Sequence, residues 1–489
     1  MSREATVSDR VYLRPDRSWT VADGVAVRGR AFVGEDPRSA TGLRAGEDLC
    51  AQFADAATLE AFAARLDECN GFFAVVSERA DRTLLGVDHV RSVPLLYAPE
   101  RGFASDDASH LRDRLGTGAY DPLAESDLLV SGEVVGDRTL VPGMRALRPG
   151  EAVALAGGTV ERTRYADYLP RTDGGVSDAG TDGGAATGRV DEASDAAVDG
   201  TRARLETAID GAFDRLSAVA GDRQVALALS GGYDSRLVAT ELARRDHDVL
   251  AYSFGRPDAA DVVAARGVAA ALGLPWEFVE YSTEGWREWY ASPERAAYVD
   301  AAFTYDAIPN YGTVPALSAL VDRGALDADA VCSSGQTVVG MSENVPRQLD
   351  RPDPDVEDLV DAVVDYWGRW GWDDPAFDRA VRSRVRDAVP SAGVSTLPEA
   401  FAWYERWKWT ERHTKYFVAD VRQYDFLDRD WWLPLWDRAV VDAWAAVPFA
   451  RRRGKQLYRS VVDDRFAAAT GLDRPAATGL AAETRSPSV

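Results

Sequence analysis

Val225-Ala226-Leu227-Ala228-Leu229-Ser230-Gly231-Gly232-Tyr233-Asp234-Ser235 is the stretch that decides the fold. Val225 to Leu229 reads as a fully apolar strand, the two glycines break it, and a helix follows from Arg236 to Arg245. Beyond it VLAYSF reads as a second strand, Ala259 to Leu272 as a second helix and EFVEY as a third strand. Strand and helix alternate, so the units are βαβ and the sheet is parallel. In such a sheet the turn Ser230 to Ser235 stands at the carboxyl end of its strand, where ligands bind. The glycines let the backbone approach an anion with its amide hydrogens turned inward, and the helix dipole adds favourable potential. Ser230 and Ser235 offer hydroxyl donors, and Asp234 beside a polyphosphate makes sense chiefly as a magnesium ligand. The competing reading of the same residues is a Gly-Gly turn with a helix-capping Asp or Ser.

Upstream, Leu205, Ile209, Phe213 and Leu216 share one helical face. Before them, residues 169–200 are built of Gly, Ala, Asp, Ser and Thr and cannot offset ordering entropy by burial. They are expected to be a flexible linker between a domain at 1–168 and another at 201–475, with a disordered tail at 476–489. The short apolar runs GFFAVVSE, TLLGVD, PLLYA and GEAVALAGGTVERTRY predict a mainly β first domain with a helix near Ala56 to Leu66. Ten of the fourteen tryptophans fall between Trp367 and Trp444 at helical spacing, as expected for the core of a helical subdomain.

The 489 residues suffice for two or three folded units. The net charge is −23, and only Lys408, Lys415 and Lys455 among the 56 basic residues are lysines. This composition reads as that of an extreme halophile, in which acidity describes the solvent rather than a partner. Cys50, Cys69 and Cys332 fit no metal or disulfide spacing. The charged N-terminus and the lack of any long apolar run predict a cytoplasmic protein without membrane insertion. The four histidines, His89, His110, His247 and His413, are scattered and receive no role.

No GxxxxGK[ST] pattern is present; Ser230-Gly231-Gly232-Tyr233-Asp234-Ser235 instead resembles the SGGxDS pyrophosphate loop of the ATP pyrophosphatase group. Further segments make the chain similar to the asparagine synthase family, including its β-lactam synthetase-like branch. They are Asn70 to Ala74, Val87-Asp88-His89-Val90-Arg91-Ser92-Val93-Pro94-Leu95-Leu96-Tyr97, Phe103 to Asp106, Thr139 to Gly150, Tyr424 to Asp428 with Leu433 to Asp437, and Lys455-Gln456-Leu457-Tyr458-Arg459. The resemblance implies an N-terminal Ntn-hydrolase-like (αββα) glutaminase-type domain. It implies a C-terminal adenine-nucleotide α-hydrolase-like (Rossmann-like) sheet with a helical subdomain. On it, Leu229, Ser230, Gly231, Gly232, Tyr233, Asp234, Ser235, Phe254, Ser334 and Gly335 would bind ATP and Asp234 would hold Mg2+. Lys455 would stabilise negative charge near the α-phosphate, so that Lys455 and Asp234 are the expected catalytic pair. The alternative for Lys455 is a solvated lysine at a helix end.

The chain departs from that family twice. A glutaminase of this kind begins its mature chain with a nucleophilic cysteine, whereas residue 2 is Ser2 and no cysteine precedes Cys50. No glutaminase nucleophile is therefore expected, and the β domain is expected to persist as a scaffold. In the second loop, Cys332 to Gly340, Gln336 and Thr337 replace the family's acidic pair, with Glu343 nearby. Asp258 and Asp261 follow Phe254-Gly255, and Asp258 is expected to be a helix N-cap.

The leading expectation is an ATP-dependent amide-forming ligase of carbon–nitrogen type that adenylates a carboxylate, releases pyrophosphate and transfers an amine or ammonia. A small-molecule carboxylate and an amine donor are its expected partners, with no nucleic acid, and a homodimer is the candidate assembly. Aspartate is the default substrate by resemblance, and an acidic sugar of a surface polysaccharide is the competitor. A catalytically degenerate nucleotide-binding protein is the second reading. A tRNA-modifying adenylating enzyme is the third, and it would want a basic face or a cysteine pair.

Overall fold

In the computed structural model, residues 8–172, 195–368, 371–389 and 394–472 are described. Strand Cys69–Glu78 lies in a seven-stranded antiparallel sheet, between Val25–Val33 and Thr83–Val87. Successive side chains of a strand point to opposite faces. Phe73 and Val75 accordingly pack on helices Gly46–Ala51 and Leu59–Asp67 through Leu49, Phe62 and Leu66. Ala74 and Val76 face a four-stranded sheet carrying Tyr97 and Ala104, with Leu95 just ahead of its strand in the same core. Helices Ala108–Leu115 and Pro122–Ser131 cover its far side, with Leu111 and Ala124 against Leu96 and Phe103. The N-terminal half is thus helix, sheet, sheet, helix, and the helix expected near Ala56 to Leu66 runs from Leu59 to Asp67.

The C-terminal half is built on a five-stranded sheet, all parallel, in the order Trp276–Glu280, Val249–Gly255, Val225–Ala228, Val331–Ser334, Asp430–Trp431. Strand order reverses beside Val225–Ala228, because the chain first builds outward on one side and later returns to the other. That switch point is where a crevice opens at the carboxyl ends of the strands. The register pairs Ala228 with Ser334, so the loops leaving both strands lie side by side. Helices Val356–Trp367, Pro375–Ala388 and Leu397–Trp407 form a separate core that includes Trp367, Phe377 and Trp407. Trp409, Trp432, Trp436 and Trp444 join the main core, so the packing role expected of the tryptophans holds for these side chains.

The halves share one core. Phe32 and Phe72 meet Trp432 edge-on at 5.8 and 4.7 Å, and Tyr168 stacks on Trp409 at 5.1 Å. Arg215 donates to both oxygens of buried Asp437 (2.6 and 2.8 Å), which also accepts from Asn70 Nδ2 at 3.0 Å. One expectation needs correction: the helix that carries Leu205 to Leu216 begins at Asp195, inside the 169–200 stretch read as linker. Residues 173–194, Ser2 and the tail at 476–489 lie outside the described residues. No helix among the described residues is long and apolar enough to cross a membrane.

Candidate nucleotide cleft

Two loops meet at the switch point. Leu229 is fixed before the turn begins: its N–H donates to Tyr252 O (2.8 Å) and its carbonyl accepts from Ser253 Oγ (2.6 Å). Gly231 has φ +70°, and a Cβ there would come within 2.6 Å of Ala265 N, so only glycine lets the loop press on helix Ala260–Leu272. Gly232 caps helix Tyr233–Arg244 with no side chain on the first-turn amides. Ser235 Oγ accepts from Ser230 N (3.2 Å) and lies 3.0 Å from Ser230 Oγ. Buried Arg236 donates to Gly231 O at 3.2 Å, holding the turn from beneath. From the second loop, Gly335 abuts the first so closely that a Cβ would stand 2.4 Å from Ser235 N.

These loops form one wall of a cleft of about 590 Å³. Leu229, Ser230, Gly232, Asp234, Ser235, Phe254, Ser334, Gly335 and Lys455 all line it. Gly231 and Tyr233 do not: Gly231 faces the neighbouring helix, and the Tyr233 ring lies against the guanidinium groups of Arg236 and Arg459 at 5.2 and 5.4 Å. Lys455 reaches in from the far side, its Nζ 3.6 Å from Asp234 Oδ2 and 3.5 Å from Glu343 Oε2. Its backbone is left-handed (φ 57°), a conformation costing about 1–2 kcal/mol for a residue with a Cβ, so the position is held for its side chain. Asp234 Oδ1 is buried without a hydrogen-bond partner. The Tyr458 hydroxyl is the buried group beside this carboxylate, which lies at the cleft wall where a hard divalent cation would take an oxygen ligand, and Glu343 brings a second carboxylate to Lys455.

The other end of the cleft carries residues that no motif marks. Gln336 Nε2 donates to Asp420 Oδ2 at 2.6 Å while its Oε1 is buried and unpartnered. Thr337 caps the short turn Val338–Ser342 through Val339 N. Both replacements in the second loop are therefore engaged in local structure. Burial pushes the Asp420 carboxyl up to about 7, against the lowering by the Gln336 and Gln423 amides. Lys408 donates to Met341 O (3.0 Å) between the rings of Tyr366 and Tyr404, and burial brings its ammonium down to about 8. His413 is buried and held well below the ordinary histidine range, first by burial and then by the Lys408 charge. The rarity of lysine was the one sequence signal pointing to Lys408; nothing in spacing points to His413 or Asp420.

Asp258 is not an N-cap. It pairs with Arg256 in solvent at 3.2 Å, and helix Ala260–Leu272 starts after Ala259, one residue later than the cap position would need. Asp261 lines the cleft. The upstream motif residues have local duties. Buried Asp88 accepts from Phe73, Val90 and Ser92 amides, and His89 Nε2 donates to Trp436 O at 2.8 Å across the domain contact.

The glycine turn and the Asp234–Lys455 pair thus stand at the switch point of a parallel sheet, the place where open α/β sheets bind ligands. Residues 205–317, less than a quarter of the chain, match the family model described as asparagine synthase. No curated protein matches the chain. Among solved structures, the chain is similar to an NH3-dependent NAD synthetase from Campylobacter jejuni subsp. jejuni NCTC 11168 in complex with the nitrate ion, at 14% identity and TM-score 0.22, covering 39% of this chain and 97% of that one. It is also similar to a glutamine phosphoribosylpyrophosphate amidotransferase from B. subtilis complexed with ADP and GMP, at 11% identity and TM-score 0.17, covering 66% of this chain and 63% of that one.

Proposed function

We propose that this protein is an ATP-dependent amide-forming ligase that adenylates a small-molecule carboxylate and passes the acyl group to an amine or ammonia. The observation that carries this reading is the meeting of Asp234, Lys455 and Glu343 in the cleft beside the Ser230–Ser235 turn. The amides at the helix start and the hydroxyls of Ser230 and Ser235 would bind the β- and γ-phosphates, with Phe254 at the adenine side. Asp234, with Glu343, would hold a magnesium ion, which when bound neutralises phosphate charge. Lys455 would leave its two carboxylates for the α-phosphate, where a compact cation stabilises the charge of the transferring centre. The carboxylate of the substrate attacks the α-phosphorus, pyrophosphate departs, and the amine then displaces AMP.

Asn70, an expected part of the glutaminase-type half, uses its amide on Pro37 O and Asp437. The engagement of Gln336 and Thr337 in local structure favours one other reading, a nucleotide-binding protein without catalysis. ATP–pyrophosphate exchange with magnesium in concentrated potassium chloride separates the two, using L-aspartate and an extract of small carboxylates. The expected result is exchange abolished by Asp234→Ala with the fold intact. Exchange unaffected by that substitution refutes the proposal, and ATP binding without exchange supports the degenerate reading.

A further inference from the structure

Lys408–Phe417 is wound as a π-helix, continuous with the α-helix Leu397–Trp407. Such winding, with i→i+5 hydrogen bonds, occurs mostly as single-turn bulges and gathers at functional sites. A run of 10 residues needs its surroundings to hold it. The winding decides which side chains share a face. At the α-helical advance of about 100° per residue, Lys408 and His413 would point roughly 140° apart. In the wider π turn the side chains at i and i+5 come onto more nearly one face, and Lys408, His413 and Phe417 all line the cleft. His413 Nδ1 is 3.1 Å from the Lys408 carbonyl. A carbonyl only accepts, so Nδ1 carries the proton and Nε2 the lone pair. Nε2 faces Gly340, where a Cβ would stand 3.8 Å away.

The opposite face is fastened to the N-terminal domain. Glu411 accepts from Arg148 Nη2 (2.9 Å), from the Gly136 amide (2.8 Å) and from Lys415 Nζ (2.7 Å). Lys415 Nζ also donates to Val134 O (2.5 Å) and Gly136 O (2.8 Å), and Arg412 pairs with Glu133. Glu411, Arg412 and Lys415 are all buried. Burial pushes the Glu411 carboxyl up, but the Lys415 and Arg148 charges outweigh it and hold it at about 2, so the contact stays ionised at neutral pH.

We propose that Glu133, Gly136 and Arg148 of the N-terminal domain hold this segment in its π register through Glu411, Arg412 and Lys415, and so position Lys408 and His413 in the cleft. The N-terminal domain is then a structural part of the synthetase site. The inference rests on the proposed function only for what the positioned residues act upon.

The chain has four histidines, so selective 15N-histidine labelling reads the device directly. In the unmodified protein His413 should show one protonated and one bare ring nitrogen and should not titrate from about pH 5 to about pH 8, since burial and the Lys408, Arg412 and Lys455 charges oppose protonation. Arg148→Ala and the isosteric Glu411→Gln should bring the two nitrogen shifts together and let His413 titrate nearer the ordinary value. His110 and His247, away from this contact, should stay unchanged and report an intact fold. Arg148→Lys should restore part of the pattern. Both variants keeping the unmodified His413 pattern would overturn the proposal, as would an unmodified His413 that titrates normally. MgATP affinity measured on the same samples keeps the two ideas apart: failure of the unmodified protein to bind MgATP removes the functional reading, whereas the positioning proposal stands or falls on His413.

Discussion

Replacing Gly232 with alanine separates the folding of the phosphate loop from its use. Gly232 has φ −67° and ψ 173°, open to any residue, and the nearest atom a Cβ would meet is Ser230 Oγ at 3.5 Å, an ordinary contact. Alanine is a poorer N-cap than glycine by up to about 1 kcal/mol, and its smaller unfolded-state freedom returns roughly 0.4–1 kcal/mol. Folding stability should therefore move by less than about 1 kcal/mol. The methyl group would nevertheless stand at the wall of the cleft, where a phosphate oxygen must approach the backbone. Loss of one charge-assisted hydrogen bond is worth about 1.5–3 kcal/mol, or roughly a 10- to 150-fold rise in Kd. Isothermal titration of MgATP beside denaturant unfolding, both in concentrated potassium chloride, measures the two effects. Gly231→Ala should behave oppositely. Its positive φ costs about 1–2 kcal/mol and the 2.6 Å clash with Ala265 N roughly 1–3 kcal/mol more, so stability itself should fall. Unchanged MgATP affinity in Gly232→Ala would refute the placement of phosphate on this turn.

Asp420 should make stability depend on pH. Its folded carboxyl, raised by burial from 3.8 to about 7, keeps a proton that the unfolded chain has lost, so stability falls as pH rises through that window and levels above it. Asp420→Asn should remove that slope in urea unfolding, and a slope of unchanged size would exclude Asp420 as its source. Arg452 Nε donates to Glu405 Oε2 at 2.9 Å and both side chains are fully buried, so Arg452→Met should cost about 3–5 kcal/mol in denaturant unfolding, most of it regained with Glu405→Leu. Tyr233→Phe should leave MgATP affinity unchanged in the same titration, because the ring lies against Arg236 and Arg459 outside the cleft.

The parallel sheet was legible because Val225 to Leu229 and Val249 to Phe254 are nearly continuous apolar runs, as burial on both faces demands, and because helical stretches alternate with them; the edge strand Trp276–Glu280 carries two glutamates and is largely half-buried. The strand Asp430–Trp431 was not legible, because two residues beside a turn carry no periodicity. In the site, the Ser230–Ser235 turn declares itself through its glycines, whose backbone duties admit few substitutes. Lys408, His413 and Asp420 are silent for a different reason. The faces of Lys408 and His413 are set by π winding, fastened by contacts to Arg148 and Glu133 more than two hundred positions upstream, and Asp420 meets Gln336 84 positions upstream; no local spacing rule contains these contacts. Asp258 misled for the converse reason: an acid just before a helix satisfies the capping pattern, yet an exposed arginine two residues back takes its carboxylate.

The use of basic residues follows the same physical line. The contact between the halves is held by arginines, on Asp425, Asp306, Asp430 and Glu411 among others, where a planar fork matches a carboxylate and its charge is permanent. All three lysines are buried. Lys415 spends its three donors on two carbonyls and Glu411, a convergent set that a planar guanidinium cannot meet. Lys455 and Lys408 stand in the cleft, where a compact charge on a flexible stem can leave one partner for another, and burial brings the Lys408 ammonium down to about 8. In a chain that otherwise writes its positive charge as arginine, a lysine marks a place where the shape of the ammonium, its mobility or its proton is needed. Lys455→Arg should on that ground retain the fold and lose pyrophosphate exchange, since the larger guanidinium cannot take the position between Asp234 and Glu343 that the compact ammonium holds at 3.6 and 3.5 Å. Exchange at the unmodified rate in Lys455→Arg would show that charge alone suffices there and would break this argument.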